Sequence, residues 1–389
     1  MTIKKQIEQQ KKNKDKLGKW IAPSNFVKNI FMRLSFPLLK KVIDFPLRNL
    51  IFRENLLRDA LKNKDKGKHT FLDEREPTAI AWNKFFNETK LEEVFVLKSV
   101  IEENLDDLSR EVIGRFLLQR FLHSLEGVVS FSQTGYQKPL EHFFPLDKTE
   151  RERLNQLVLT IPKRYRFPAV VPEVEIVNGF GMSYFPKEKQ TILLGRDVID
   201  GGGFVGDSAM VFTEFQPRNV YVFEPNPDMF PEIKKIITLN TNVLGNYVHK
   251  IIPVQKALGR KQGSMKLYSR GIYDSMASIN DGASFINRRN KLKEHEVPVV
   301  SIDDFVRKKS LDVGLIKLDV EGVESDVIEG AVETIKAHKP LLIISIYHNP
   351  KDFFEIKPKI ESLNLGYHFL IRHLVSHSTG EFCLLGYPE

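Results

Sequence analysis

A chain of 389 residues exceeds one ordinary domain and suits two, at ~150 residues each, and its 42% hydrophobic content is enough to build cores. No uncharged apolar run approaches the ~18 residues of a membrane span, and the single cysteine, Cys383, excludes an intramolecular disulfide framework and a Cys-built metal site. The net charge of +8 is unevenly spread: residues 1–68 hold 18 Lys+Arg against 6 Asp+Glu, leaving 40 against 44 in 69–389. No basic face is implied for the body of the protein, so a nucleic-acid partner is not expected.

The first region, 1–68, is a basic amphipathic segment. Phe26, Ile30 and Leu34 recur at helical spacing beside Val27 and Phe31, with Lys28 and Arg33 among the polar positions. Pro37 and Pro46 interrupt helices because each lacks an amide proton. Such a face either packs on protein, including a second subunit, or enters the headgroup boundary of an anionic membrane. The opening residues lack the apolar region of a secretory signal, which with one cysteine predicts a cytoplasmic location, peripheral on the membrane if the segment binds lipid. Residues 69–165 read as a helical accessory or lid domain with helices near 76–88, 91–104, 107–125 and 147–158. The last has a capped start at Asp147 and Glu150.

From 166 to 389 the periodicity changes. A hairpin is expected around Asn178-Gly179, a strong turn pair. Strands then alternate with helices at 206–215, 228–239 and 324–337; the strands are TILLGRDVID, NVYVFEP, IIPVQKAL, VPVVSIDDF, GLIKLDV and PLLIISIYH, with a hairpin-like stretch near 264–269. Apolar strands separated by helices predict an α/β domain with a doubly wound parallel sheet. YHFLIRH and EFCLLGYP read as a terminal antiparallel pair. Ligands of such sheets sit beyond the carboxyl ends of the strands.

The first strand ends at Asp200, followed by Gly201, Gly202 and Gly203, then Phe204, Gly206 and Asp207 where a helix starts. The glycines permit a tight turn and let a ligand approach the backbone; they satisfy G-x-G-x-x-G, a weak signal alone. Glu224, 22 residues past Gly202 and followed by Pro225, ends the next strand and suits the hydroxyls of a ribose. An adenosine-type cofactor is implied, either nicotinamide dinucleotide or S-adenosylmethionine. A carboxylate at Asp200 pointing into the loop repels pyrophosphate and suits a sulfonium.

LIKLDVEGVE gathers Asp319, Glu321 and Glu324 at the exit of another strand, with Lys317 two before Asp319. Clustered carboxylates raise one another's pKa, so one can act as a proton acceptor; Asp319 and Glu321 are also possible ligands of a hard divalent cation. His348, at the end of the next strand, is a general-base candidate; His338, His368, His373 and His377 have weaker claims. No H-E-x-x-H or G-x-S-x-G occurs, so zincin and serine-hydrolase chemistry are unsupported.

VIDGGGFVGDSA, VYVFEPNPDMF, IKLDVEGVESDVIEGA, KPLLIISIYHNPKDFFEI and the terminal pair resemble, in order, the FkbM-type S-adenosylmethionine-dependent methyltransferases over roughly 195–389. The resemblance implies a class I, Rossmann-like methyltransferase fold: a seven-stranded sheet whose last strand is antiparallel. It implies methyl transfer to a hydroxyl, frequently of a sugar in a surface glycan or glycosylated product. Asp200, Gly202 and Gly206 correspond to the methionine-side loop, Glu224 to the ribose acid, and Lys256 and Ala257 to the adenine region. Phe204 stands where many members carry Asn or Tyr. Asp319 or His348 is the expected base, with Glu321 and Glu324 orienting the acceptor or holding a metal. The alternatives are a nicotinamide-dependent oxidoreductase and a non-catalytic membrane-surface or scaffold protein; an oligomer is compatible with all three.

Overall fold

The computed structural model describes residues 77–124, 165–166, 174–269, 293–374 and 380–389. The basic segment 1–68 and the expected helix at 147–158 lie outside them. The chain forms two compact units, 1–144 and 145–389.

In the first unit three helices follow the expected spacing: α1 (Pro77–Glu88), α2 (Leu91–Ile101) and α3 (Asp107–Ser124). Trp82 is buried on α1 and meets Phe116 of α3 edge-to-face, with ring centroids 5.0 Å apart. Ile101 and Ile113 are fully buried and belong with Trp82 and Phe116 to this small unit's core. No helix among the described residues is long and apolar enough to cross a membrane.

The second unit is built on a seven-stranded sheet. Its strands are β1 (Asp197–Gly201), β2 (Val220–Phe223), β3 (Ile251–Val254), β7 (Val313–Leu318), β8 (Leu341–Ser345), β9 (Tyr367–His373) and β10 (Phe382–Pro388). They lie in the order β3-β2-β1-β7-β8-β10-β9. β1, β2, β3, β7 and β8 pair in parallel, and β10 pairs antiparallel to both β8 and β9. This is an α/β Rossmann-like fold with a reversed last strand. Every residue of β1, β2, β7 and β8 is buried, as a sheet covered on both faces requires. Val198, Ile199, Leu315 and Ile316 retain no exposure, each contributing ~1.5–3 kcal/mol of burial. The covering helices include α4 (Asp207–Phe212), α5 (Phe230–Leu239), α6 (Ile302–Lys309), α7 (Glu324–Glu329), α8 (Val332–His338) and α9 (Pro350–Glu361).

Three expectations are corrected. Residues 174–184 form 3-10 turns, not a hairpin. Gly179, Phe180 and Gly181 all have positive φ, so the chain coils on itself instead of reversing through two residues, and Met182 enters the core. VPVV does not join the main sheet. It ends β6 (Lys293–Val300) in a separate sheet, antiparallel to β5 (Gly263–Ser269) and parallel to β4 (Ala257–Leu258). The helix expected at 324–337 is two helices broken at Gly330, where a Cβ would come within 2.5 Å of the Gly259 carbonyl oxygen.

Candidate active site

Parallel strands end on one edge, so the acids predicted on separate strands meet there. Asp200 and Lys317 are register partners on β1 and β7. Asp200 is fully buried: Ser208 donates its hydroxyl to Oδ2 at 2.6 Å, and the Lys317 ammonium lies 3.5 Å from Oδ1. Lys317 also donates to the carbonyl of Gly202 at 2.8 Å. Burial raises the Asp200 pKa, and Lys317 and Ser208 oppose that rise. Asp200 therefore does not open into the loop as expected; it braces the loop from beneath, because Lys317 and Ser208 draw the carboxylate inward.

The glycines pack closely on their neighbours. A Cβ on Gly202 would fall 1.7 Å from the Asp319 carbonyl oxygen, and one on Gly203 would fall 2.0 Å from Val222 Cγ1. At Gly201 it would meet Leu258 and Leu318. These residues are small enough for the loop to press on β2 and β7. Gly206, at φ 81°, supplies the left-handed turn into α4. The loop amides are committed internally. Gly202 and Gly203 donate to Phe223 O, Gly206 donates to Gly203 O, and Phe204 donates to Glu224 Oε2.

Glu224 closes this half of the edge. One oxygen accepts from Phe204 N at 3.1 Å and the other from Asn226 N at 2.8 Å. Burial pushes its pKa up to about 7 against these two donors. Asp207, at the start of α4, is buried and raised to about 6, again chiefly by burial. Asp207 Oδ2 and Asn226 Nδ2 are buried without a hydrogen-bond partner. Pro225 carries the chain from Glu224 to Asn226. Lys256 lies two residues past β3, whose Val254 carbonyl accepts from Glu224 N. Ala257 is buried in β4, its methyl clustered with Leu267, Val297 and Val299.

The second half of the edge lies at the ends of β7 and β8. His348 is 5% exposed and faces three carboxylates. Its Nδ1 lies 3.0 Å from Glu324 Oε1; its Nε2 lies 3.5 Å from Glu321 Oε2 and 3.6 Å from Asp319 Oδ1. Burial of the ring favours the neutral form, but Glu324, Glu321 and Asp319 outweigh it and hold the pKa well above the ordinary value. Glu324, fully buried at the start of α7, is lowered: His348 overcomes the burial penalty. Glu321 adopts φ 60° and is followed by Gly322 at φ 94°, a left-handed pair that turns the chain sharply between β7 and α7. One donor atom each from Asp319, Glu324 and His348 lies within 4.8 Å of the others. The four residues expected to carry the chemistry are therefore brought together.

Two further participants lie outside the expected set. Lys317 was noted for its position but not as Asp200's counter-ion, which its register with Asp200 produces. Asp352, 1% exposed on α9, accepts from Ser325 N at 3.0 Å and hydrogen-bonds Glu324; burial and Glu324 push it up to about 8. Its signal was the helix start Asn349-Pro350-Lys351-Asp352, in which Asn349 caps the Asp352 amide. His338 pairs with Asp312 away from this edge, and His368 and His373 stack on Tyr387 and Phe382. His377 lies outside the described residues.

Comparison with known proteins adds the family. Residues 204–369 match the family described as Methyltransferase FkbM domain. "Methyltransferase 1" of Beauveria bassiana is 24% identical over 220 residues, covering 51% of this chain and 83% of that one. Among solved structures, methyltransferase FkbM from Methylobacillus flagellatus is 18% identical, covers 73% of each chain and gives a TM-score of 0.40. The O-methyltransferase from Bacillus cereus in complex with SAH is 9% identical, covering 66% of this chain and 98% of that one, with a TM-score of 0.32.

Proposed function

We propose that this chain, whose residues 204–369 match the Methyltransferase FkbM domain, transfers a methyl group from S-adenosylmethionine to a hydroxyl oxygen, that of a sugar in a glycan or glycosylated product. The observation that carries the reading is Asp319. Its backbone N–H holds the Gly201 carbonyl at 3.0 Å, and its carboxylate belongs to the His348 cluster. One residue thus joins the loop that fits the cofactor to the cluster that fits an acceptor.

The residues present fit S-adenosylmethionine. Each oxygen of Glu224 takes one backbone N–H, which leaves a lone pair on each for a ribose diol. Asp207 Oδ2 and Asn226 Nδ2 supply an unused acceptor and an unused donor. When bound, the cofactor supplies an electrophilic methyl group on a sulfonium that is already a good leaving group. A dinucleotide is disfavoured by the donors: the amides of Gly202, Gly203, Phe204 and Gly206, which would cradle a pyrophosphate, are spent on protein acceptors.

The chain's own work is alignment and proton transfer. The acceptor hydroxyl is held at the Asp319–Glu321 edge of the cluster, and Asp319 takes its proton. Glu324 holds the Nδ1 side of His348, so Nε2 is the nitrogen presented to Asp319 and Glu321. Incubation with S-adenosylmethionine carrying a deuterated methyl group and a panel of glycosides tests this by mass spectrometry. Label on a sugar oxygen is expected; transfer to nitrogen alone, or no transfer to any hydroxyl, would overturn the acceptor class.

A further inference from the structure

We propose that Asp319, Glu321 and His348 form a binding site for a divalent metal ion of the Mn²⁺ type at the acceptor side of the domain. Two carboxylate oxygens and an imidazole nitrogen are the donor set that borderline first-row dications accept. The spacing agrees. Nε2 stands 3.5 Å from Glu321 Oε2 and 3.6 Å from Asp319 Oδ1, long for hydrogen bonds. Two ligand atoms each ~2.1 Å from one ion are separated by ~3.0 Å at an octahedral right angle and ~3.4 Å at a tetrahedral one, so a small inward shift of the partly exposed acids closes both onto an ion.

A second observation is independent of the acidic cluster. The His348 ring is 5% exposed; its Nδ1 faces Glu324 at 3.0 Å, but its Nε2 is buried without an aligned hydrogen bond. Asp319 Oδ1, 3.6 Å from that nitrogen, is likewise buried without one. Buried polar atoms are nearly always satisfied, so two such atoms facing each other mark a place for a ligand. That ligand must be positive: three carboxylates around one imidazole stay net negative even with the ring protonated.

Glu324 supports the arrangement from behind. Its Oε1 takes the Nδ1 side of the ring at 3.0 Å and also accepts from Val320 N at 2.9 Å, which fixes the ring with Nε2 outward. Asp319 and Glu321 are 26% and 32% exposed, so coordination positions remain open toward solvent. The cation's role, though not its binding, rests on the hydroxyl-methylation reading. A carboxylate is a weak base toward an alcohol, and a hydroxyl held on a dication gives up its proton more readily. One oxygen of Asp319 binds the ion and the other accepts that proton.

The test uses the full chain, dialysed against chelator, without cofactor or acceptor. MnCl₂ is titrated by calorimetry and by loss of the free-ion EPR signal. One site per chain is expected. Asp319→Asn, Glu321→Gln and His348→Gln should each weaken it at least tenfold, whereas Glu333→Gln, at an exposed position of α8, should not. Glu321, partly exposed, keeps the test valid if the His348 variant fails to fold. No binding by the parent, or binding indifferent to both Asp319→Asn and Glu321→Gln, would overturn the site and leave His348 as an imidazolium paired with the acids. S-Adenosylhomocysteine titrated into the same samples separates the two readings: its binding without Mn²⁺ removes only the cation, and Mn²⁺ binding without it removes only the cofactor assignment.

Discussion

The two halves of the sheet edge treat buried carboxylates differently. At the β1–β2 end, Asp200 and Glu224 are met by donors of their own chain: the Ser208 hydroxyl, the Lys317 ammonium and the amides of Phe204 and Asn226. At the β7–β8 end, Asp319, Glu321 and Glu324 share one imidazole, and the buried Oδ1 of Asp319 lacks a hydrogen bond. Glu224, with a fixed donor on each oxygen, forms a preorganised cradle whose shape is set before ligand arrives. A carboxylate cluster short of donors is completed by what it binds. The first half suits the cofactor that every turnover shares, and the second suits the acceptor and its charge.

The comparison breaks most visibly at Asp319. Asp319→Asn retains the shape and the backbone bond to Gly201 but removes the charge, so turnover should fall ~10²–10⁴-fold. Affinity for S-adenosylhomocysteine should stay within a few-fold of the parent; near-parental turnover would remove Asp319 from the chemistry. At the other end, Lys317→Met leaves buried Asp200 without its cation, costing ~3–5 kcal/mol. The unfolding midpoint should fall by roughly 10 °C, read by differential scanning calorimetry. An unchanged midpoint would mean that the loop does not depend on this pair.

Glu224→Ala removes two hydrogen bonds to an acidic acceptor and should weaken S-adenosylhomocysteine binding ~100-fold, with Mn²⁺ binding at the far end unchanged. The smallest effect is on pH. With Glu224 up at about 7 in the free protein, and the ionised form needed to accept both ribose hydroxyls, affinity should strengthen as pH rises from 6 to 8, by about tenfold at most. For the fold alone the sign is reversed. A raised pKa contributes stability that is full below the unfolded carboxylate range and lost as pH rises through about 7. Glu224→Gln should flatten both profiles between pH 6 and 8; a profile unchanged by that substitution would assign the titration elsewhere.

Much of this edge was legible in the sequence, because apolar runs ending in Asp200, Glu224, Asp319 and His348 place those residues at the ends of parallel strands. The terminal antiparallel pair was legible from YHFLIRH and EFCLLGYP. What escaped depended on contacts between strands. Burial of Asp200 follows from register with Lys317, which no local pattern encodes. The glycines carry the same composition whether they admit a ligand or press on Val222 and Asp319; only their neighbours distinguish the two. VPVV reads as a core strand, yet its partner is Gly263–Ser269, so it builds a second sheet. Asp352 reads as a helix cap and is one, while its carboxylate also reaches Glu324 through the packing of α9 on α7.

Calorimetric titration of the parent protein with S-adenosylhomocysteine, beside NAD under the same conditions, tests the central claim most directly. Saturable binding of S-adenosylhomocysteine at one site per chain, lost in Glu224→Ala, with no heat from NAD, is the predicted result. Saturable NAD binding that depends on Glu224, with none for S-adenosylhomocysteine, would contradict it.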